Sequence, residues 1–228
     1  MAPAGLACLH HMSTERVAVV IRSVMFDFGG VISSSPFDAF ARYERENGLD
    51  DGFLRRINAT DPDDNAWARL ERGELDFPSF CDEFEKEARS LGAEVDAVAV
   101  IGALAGEIRP QMVEAVRHCS SRFKTACLTN NFVALEAGAR PDVAEVFALF
   151  DAVFESSKLG LRKPDPEFYR VACEALEVSP DEVVFLDDLG VNLKPARDMG
   201  MHTIKVVGPE AALEELFALI GGPAPPVG

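Results

Sequence analysis

Asp27 directly follows the apolar run Val24-Met25-Phe26, and glycines stand two and three positions beyond it. The run reads as a buried strand, so the carboxylate sits at a strand end, with a Gly/Ser-rich loop from Gly29 to Pro36 behind it. Ligands of open α/β sheets bind at the carboxyl ends of strands, which makes Asp27 the first candidate for chemistry. Three more segments share this placement. Thr129-Asn130-Asn131 follows Ala126-Cys127-Leu128 and offers a hydroxyl and backbone N–H groups that can hold an anion. Lys163-Pro164-Asp165-Pro166 precedes a helix, and its prolines stiffen the turn from which Lys163 projects. Asp187-Asp188 ends the run Val183-Val184-Phe185-Leu186, where two adjacent acids need a cation beside them. Asp27, Asp187 and Asp188 together make an all-oxygen set suited to Mg²⁺.

Each segment has a bland reading of its own. Asp27 alone could cap a turn, Thr129-Asn130-Asn131 is an ordinary turn sequence, and a lone lysine such as Lys163 is usually solvated. Asp187-Asp188 alone could be a loop acid pair. Four such segments at successive strand ends, in one chain, argue for a single site.

The elements that must position these groups are also legible. Strands are expected at residues 22–28, 125–128, 152–154, 183–186 and 203–207, and helices at 111–119, 141–149, 166–176, 193–199 and 210–220. This alternation implies right-handed βαβ units and a parallel sheet. Between the first strand and the rest, the pattern is helical with no convincing strand. Phe37, Phe40, Ala41 and Tyr43 repeat at helical intervals up to Asn47-Gly48, residues 66–70 form a second helix around Trp67, Pro78 opens a third, and residues 95–104 form a fourth. The expected fold class is α/β, a Rossmann-like parallel-sheet core with an inserted α-helical cap of the C1 type. The core takes residues 16–33 and 105–221 and the cap residues 34–104, while a disordered extension (1–15) and a flexible Gly/Pro-rich tail (222–228) flank them.

Composition narrows the function classes. A formal net charge of −16 argues against nucleic acid and anionic membrane surfaces as partners. It still permits a phosphate ester where a metal or a local cation reverses the field. The five cysteines show no metal-ligand spacing and read as reduced residues of a cytoplasmic protein. No apolar stretch is long enough to span a bilayer, residues 1–11 lack the regions of a signal peptide, and Met12 offers an alternative start. Oligomeric state is not legible.

These segments, in this order, resemble the haloacid dehalogenase superfamily. Val183-Val184-Phe185-Leu186-Asp187-Asp188, running on to Asn192-Leu193-Lys194-Pro195-Ala196-Arg197, is similar to the N-terminal phosphatase domain of soluble epoxide hydrolase. The segments around Asp27 and Thr129 resemble the related domain fused to some acyl-CoA dehydrogenases. The resemblance implies a Mg²⁺-dependent phosphohydrolase of a small phosphorylated metabolite. Asp27 would be the nucleophile and pass through an aspartyl-phosphate, with Lys163 orienting it. Thr129 and the Asn130 backbone would hold phosphate oxygens, together with Lys163. Asp27, the Gly29 carbonyl and Asp188 would hold the metal, Asp187 would support that metal or Lys163, and Asn192 would add to the support.

Gly29 departs from the family pattern, in which most phosphatases carry a second Asp at this position to protonate the leaving oxygen and activate water. The missing acid favours one alternative, a catalytically weak or inactive phosphate-binding scaffold, and a second enzyme reading is 2-haloacid dehalogenation. The Asp187-Asp188 pair opposes the second, since that chemistry needs no metal.

Overall fold

The structure is a computed structural model, and it describes residues 20–131 and 140–222. The expected extension and the tail from residue 223 onward lie outside these residues. Five strands, β1 (Ser23–Phe26), β2 (Lys124–Thr129), β3 (Ala152–Glu155), β4 (Val183–Asp187) and β5 (His202–Lys205), form one sheet in the order β3-β2-β1-β4-β5. All four pairings are parallel, with Ser23 opposite both Lys124 and Val183. β1 is therefore central, and Asp27 extends its ladder by donating its N–H to the Leu186 carbonyl at 2.8 Å.

Strand side chains alternate between two faces. Val24, Phe26, Cys127, Val184 and Leu186 pack on helices α6 (Pro110–Ser120) and α11 (Pro209–Ile220). Met25, Ala126, Leu128 and Phe185 pack on α9 (Pro166–Leu176) and α10 (Gly190–Asp198). Burial on both faces explains why the strands read as continuous apolar runs. Two shorter helices, α7 (Pro141–Phe147) and α8 (Ser156–Leu159), flank β3 in the chain.

Between β1 and α6 lie α1 (Pro36–Glu46), α2 (Phe53–Ala59), α3 (Ala66–Glu71), α4 (Phe77–Ser90) and α5 (Ala97–Gly102). They share a hydrophobic cluster of their own, in which Trp67 is ringed by Phe40, Phe80 and Phe84. Local signals place the starts: Ser35 caps α1 ahead of Pro36, and Asp76 accepts from the Ser79 N–H at the head of α4. The chain enters and leaves this unit through adjacent linkers, joined where Ser33 bridges Ile108 and Ser34 donates to the Glu107 carbonyl at 2.8 Å.

The sequence does not announce α2 or α8, and the irregular turn at Phe28–Ile32 takes the place of the expected end of the first strand at Phe28 and of the loop from Gly29, since β1 ends at Phe26. α2 begins at Gly52 with no local side-chain cap. Its cap comes from the buried Glu44 of α1, which accepts from the N–H groups of Gly52 and Leu54 at 2.8 Å each. A cap supplied from another helix leaves no trace in a local window. Among the described residues no helix is long and apolar enough to cross a membrane. Cys81, Cys119, Cys127 and Cys173 are free.

Candidate active site

The carboxyl ends of β1, β2 and β4 converge on a cavity of about 480 Å³. Asp27, Gly29, Thr129, Asn130, Lys163, Asp188 and Asn192 all line it. Asp187 does not; it lies behind the cavity wall, fully buried. The opposite wall comes from the helical unit, with Phe37, Phe40 and Trp67 as its apolar part.

Lys163 is the pivot of the site. Its side chain is 1% exposed, and Nζ lies 2.8 Å from both Asp27 Oδ1 and Asp187 Oδ2. Burial opposes its charge, but the Asp187 and Asp27 carboxylates outweigh burial and hold the ammonium protonated above its ordinary range. The solvated reading of a lone lysine is thus excluded. Asp187 Oδ1 accepts from the Leu189 N–H at 2.8 Å, and Asn192 Nδ2 lies 3.1 Å from both Asp187 oxygens. Asn192 is held in turn by Tyr169, whose hydroxyl donates to its carbonyl at 2.7 Å. Asp187 therefore fixes the lysine.

Asp27 Oδ1 also accepts from its neighbour's N–H, that of Phe28, at 2.6 Å. This orients the carboxylate and leaves Oδ2 outside both bonds. Burial raises the Asp27 carboxyl well above the usual carboxylate range; Lys163 pulls it down, and Asp187 and Asp188 push it further up. Asp188 is raised to about 6, first by burial and then by the Asp187 charge.

The three acids offer oxygens that lie within 4.8 Å of one another. Such a hard, all-oxygen set with excess negative charge fits a small divalent cation. A second observation supports the fit. Gly30 adopts φ +76°, and a Cβ there would stand 2.2 Å from Asp188 Oδ2. The glycine's missing side chain is the space that the Asp188 carboxylate occupies. Arg109 braces the same turn by donating from Nη1 to the Gly30 carbonyl at 2.6 Å.

Several functional contacts escaped the sequence reading. The side chain of Asn130, whose backbone is expected to hold phosphate, bonds the Lys163 backbone. Asn131 joins Ser156 through its N–H at 3.0 Å and Glu155 through Nδ2 at 2.6 Å, tying the loop after β2 to α8. Arg162 and Glu71 line the cavity as an ion pair at 2.7 Å. Glu71, Glu155, Ser156 and Arg162 do not stand out by type or spacing, and the side-chain partners of Asn130 and Asn131 are not readable from their segment. Their roles arise from contacts across 24 to 91 positions of chain.

A parallel α/β sheet with an acid after its central strand, a buried lysine and a terminal acid pair defines a class of hydrolases. Residues 21–200 match the haloacid dehalogenase-like hydrolases, and the chain belongs to this family. It is 35% identical over 213 residues to mouse acyl-CoA dehydrogenase family member 10, covering 89% of this chain and 19% of that protein. It is 32% identical over 218 residues to pig bifunctional epoxide hydrolase 2, covering 89% of this chain and 39% of that protein. The chain thus spans well under half the length of both relatives. It is also 24% identical to the sesquiterpene phosphatase astK of Aspergillus oryzae, covering 90% of this chain and all of that one. Two solved structures share the fold. A Bacteroides thetaiotaomicron HAD-family enzyme in complex with magnesium and inorganic phosphate gives a TM-score of 0.59 at 17% identity, covering 81% of this chain and 93% of that one. The L-2-haloacid dehalogenase of Xanthobacter autotrophicus also gives 0.59, at 21% identity, covering 91% of this chain and 85% of that one.

Proposed function

We propose that the chain is a Mg²⁺-dependent phosphohydrolase that takes a small phosphorylated metabolite through an aspartyl-phosphate on Asp27. The observation that carries this reading is the fully buried Lys163 clamped between Asp27 and Asp187 at 2.8 Å each, with Asp188 facing the same cavity. One buried ammonium among three acids leaves the site negative, so it suits a dianionic phosphate only together with a divalent cation, which those acids would hold.

In this reading the Asp27 carboxylate attacks phosphorus, the P–O bond to the leaving group breaks, and water later cleaves the acyl phosphate. Lys163 holds the attacking carboxylate and balances charge that develops on the phosphoryl oxygens. The Thr129 hydroxyl and the Asn130 backbone N–H hold those oxygens. Asp27, the Gly29 carbonyl and Asp188 would hold Mg²⁺, with Asp187 and Asn192 as support. The bound metal supplies positive charge that neutralises the acids and the phosphate. Residues 34–104 act as the cap over a core of residues 16–33 and 105–221. The aromatic wall of Phe37, Phe40 and Trp67 suits an apolar leaving group. The relative whose whole length matches this chain is by name a phosphatase, which supports the same reading. Free cysteines suit a reducing, cytoplasmic setting.

Gly29 favours a second reading, a phosphate-binding protein with weak or no turnover, because no acid stands two residues after the nucleophile. Phosphate release from a panel of phosphorylated metabolites, with and without Mg²⁺, decides between them. Asp27→Asn should abolish turnover while the protein stays folded, and near-wild-type rates in that variant would exclude Asp27 as the nucleophile.

A further inference from the structure

We propose that Glu71 and Arg162 are positioning residues: they latch the helical unit onto the catalytic loop and hold Lys163 where turnover requires it. The inference rests on the phosphohydrolase reading but concerns residues that react with nothing. Glu71, the last residue of α3, has a side chain only 10% exposed, and Arg162 is 20% exposed. Arg162 donates from Nε to Glu71 Oε2 at 2.7 Å, with Nη2 also at 2.7 Å from that oxygen, and Nη1 donates to the Pro62 carbonyl at 3.1 Å. The other carboxylate oxygen, Oε1, accepts from the Trp67 indole at 2.9 Å. Both Glu71 oxygens are thus committed, one within the helical unit and one across to the core.

Two features give the latch leverage on the site. Arg162 is the immediate neighbour of Lys163, whose backbone Asn130 fixes. Two residues beyond Glu71, Gly73 has φ +71°, and a Cβ there would stand 2.7 Å from the Ser157 carbonyl. The turn after α3 therefore rests directly on α8. Ser157 Oγ donates to Asn131 Oδ1 at 3.1 Å, and Ser156 Oγ donates to the Asn131 carbonyl at 3.0 Å. The end of α3 thus bears on two of the loops that carry the site, one with Lys163 and one with Thr129-Asn130-Asn131. Loosening it displaces the lysine without removing any reacting group.

The test uses Glu71→Gln, Arg162→Gln and the double variant on phosphate esters that differ in leaving group. Glu71→Gln keeps an acceptor for Trp67. Each single variant should lower kcat about tenfold, by the same factor on every ester, because a misplaced lysine affects them all alike. KM should move less than about threefold. The double variant should be no slower than either single one, since the pair acts as a unit. Losses that multiply in the double variant, or that vary with the leaving group, would overturn the proposal, the latter by showing direct substrate contact. An independent readout is available because Trp67 is the only tryptophan in the chain. Without substrate, Arg162→Gln should shift its emission to longer wavelength, and an unmoved spectrum would overturn the latch. Failure of the wild type to hydrolyse any ester would instead sink the phosphohydrolase reading, and the emission measurement would still decide the latch.

Discussion

Asn130 grips Lys163 by both of its backbone groups: Nδ2 donates to the Lys163 carbonyl at 2.9 Å, and the Lys163 N–H donates to Oδ1 at 2.9 Å. The amide completes a two-bond ring like that between neighbouring strands, but it joins two loops 33 residues apart. The residue that opens one loop thereby sets the height of the lysine on the other. Removing the amide frees the lysine backbone while leaving its ammonium and both acid partners in place.

Asn130→Ala should therefore slow turnover through misplacement alone. A displacement of about 1 Å at a reacting group costs on the order of 10²-fold in rate. Two lost hydrogen bonds cost about 2 kcal/mol of stability. Steady-state kinetics with a denaturant titration checks both. A variant that loses stability but keeps kcat would show that the clamp is structural only.

Gly30 offers a test of the acid cluster that leaves every carboxylate intact. An alanine there meets Asp188 Oδ2 at 2.2 Å and must also hold φ +76°. The left-handed backbone costs about 1–2 kcal/mol, and the displaced Asp188 should lose its share of the metal. Thermal melts should show a lower Tm for Gly30→Ala and a much smaller Tm gain on adding Mg²⁺. An undiminished gain would mean that Asp188 does not hold the ion.

Most of the frame was legible because its signals are local. The apolar runs that became β1, β2 and β4 are buried on both faces, and each ends at the residue where polarity returns. Ser35-Pro36 and Asp76-Phe77-Pro78 announce helices by cap chemistry. Asp27, Thr129, Lys163 and Asp187-Asp188 stood out because each sits at such a boundary. What stayed hidden depends on contacts remote in sequence. Glu44 caps a helix other than its own, the Asn130 side chain clamps the backbone of Lys163, and Glu71 meets Arg162 across 91 positions. Side-chain type says nothing about such partners, because they are fixed only once the sheet has brought the loops together.

Asp188 makes cation binding depend on pH in a stated direction. Its carboxyl is raised to about 6 in the fold, from an ordinary value of 3.8. Between those values the metal-free folded state holds a proton that the unfolded chain has lost, so metal-free stability falls as pH rises through this window. Binding a cation requires the carboxylate, so the ion must displace that proton below pH 6 but not well above it. The raised Asp27 carboxyl acts in the same sense. The Tm gain from Mg²⁺ should thus be small at pH 5 and large at pH 7.5, and Mg²⁺ binding at pH 5 should release protons measurable by calorimetry in two buffers. A gain independent of pH would place the ion elsewhere. Excess chelator should abolish turnover, and calcium, with its looser geometry, should inhibit it.

Gly29 sets the reactivity that the proposed enzyme should show. General acid–base help is worth about 10²–10⁴-fold, and no carboxylate stands here to give it. Aryl, acyl and anomeric phosphates lose their leaving groups with little protonation, so they should be cleaved much faster than simple alkyl phosphates. The backbone at Gly29 is an ordinary extended one, φ −69° and ψ 130°, which any residue adopts. A Cβ there would lie 3.3 Å from Pro36 Cγ, so Gly29→Asp needs only a small shift of the proline ring. That variant should raise rates on alkyl phosphates and narrow the gap to aryl ones. The competing source of the proton is a carboxylate of the helical unit. Glu71 is committed to Trp67 and Arg162, which leaves Asp63, at the cavity wall, as the acid to compare. Rates plotted against leaving-group pKa, for the wild type, Gly29→Asp and Asp63→Asn, separate the two sources. A steep wild-type slope that flattens in Gly29→Asp and is unmoved in Asp63→Asn supports the missing acid. A flat wild-type slope that steepens in Asp63→Asn would assign the proton to the helical unit and make Gly29 a matter of space.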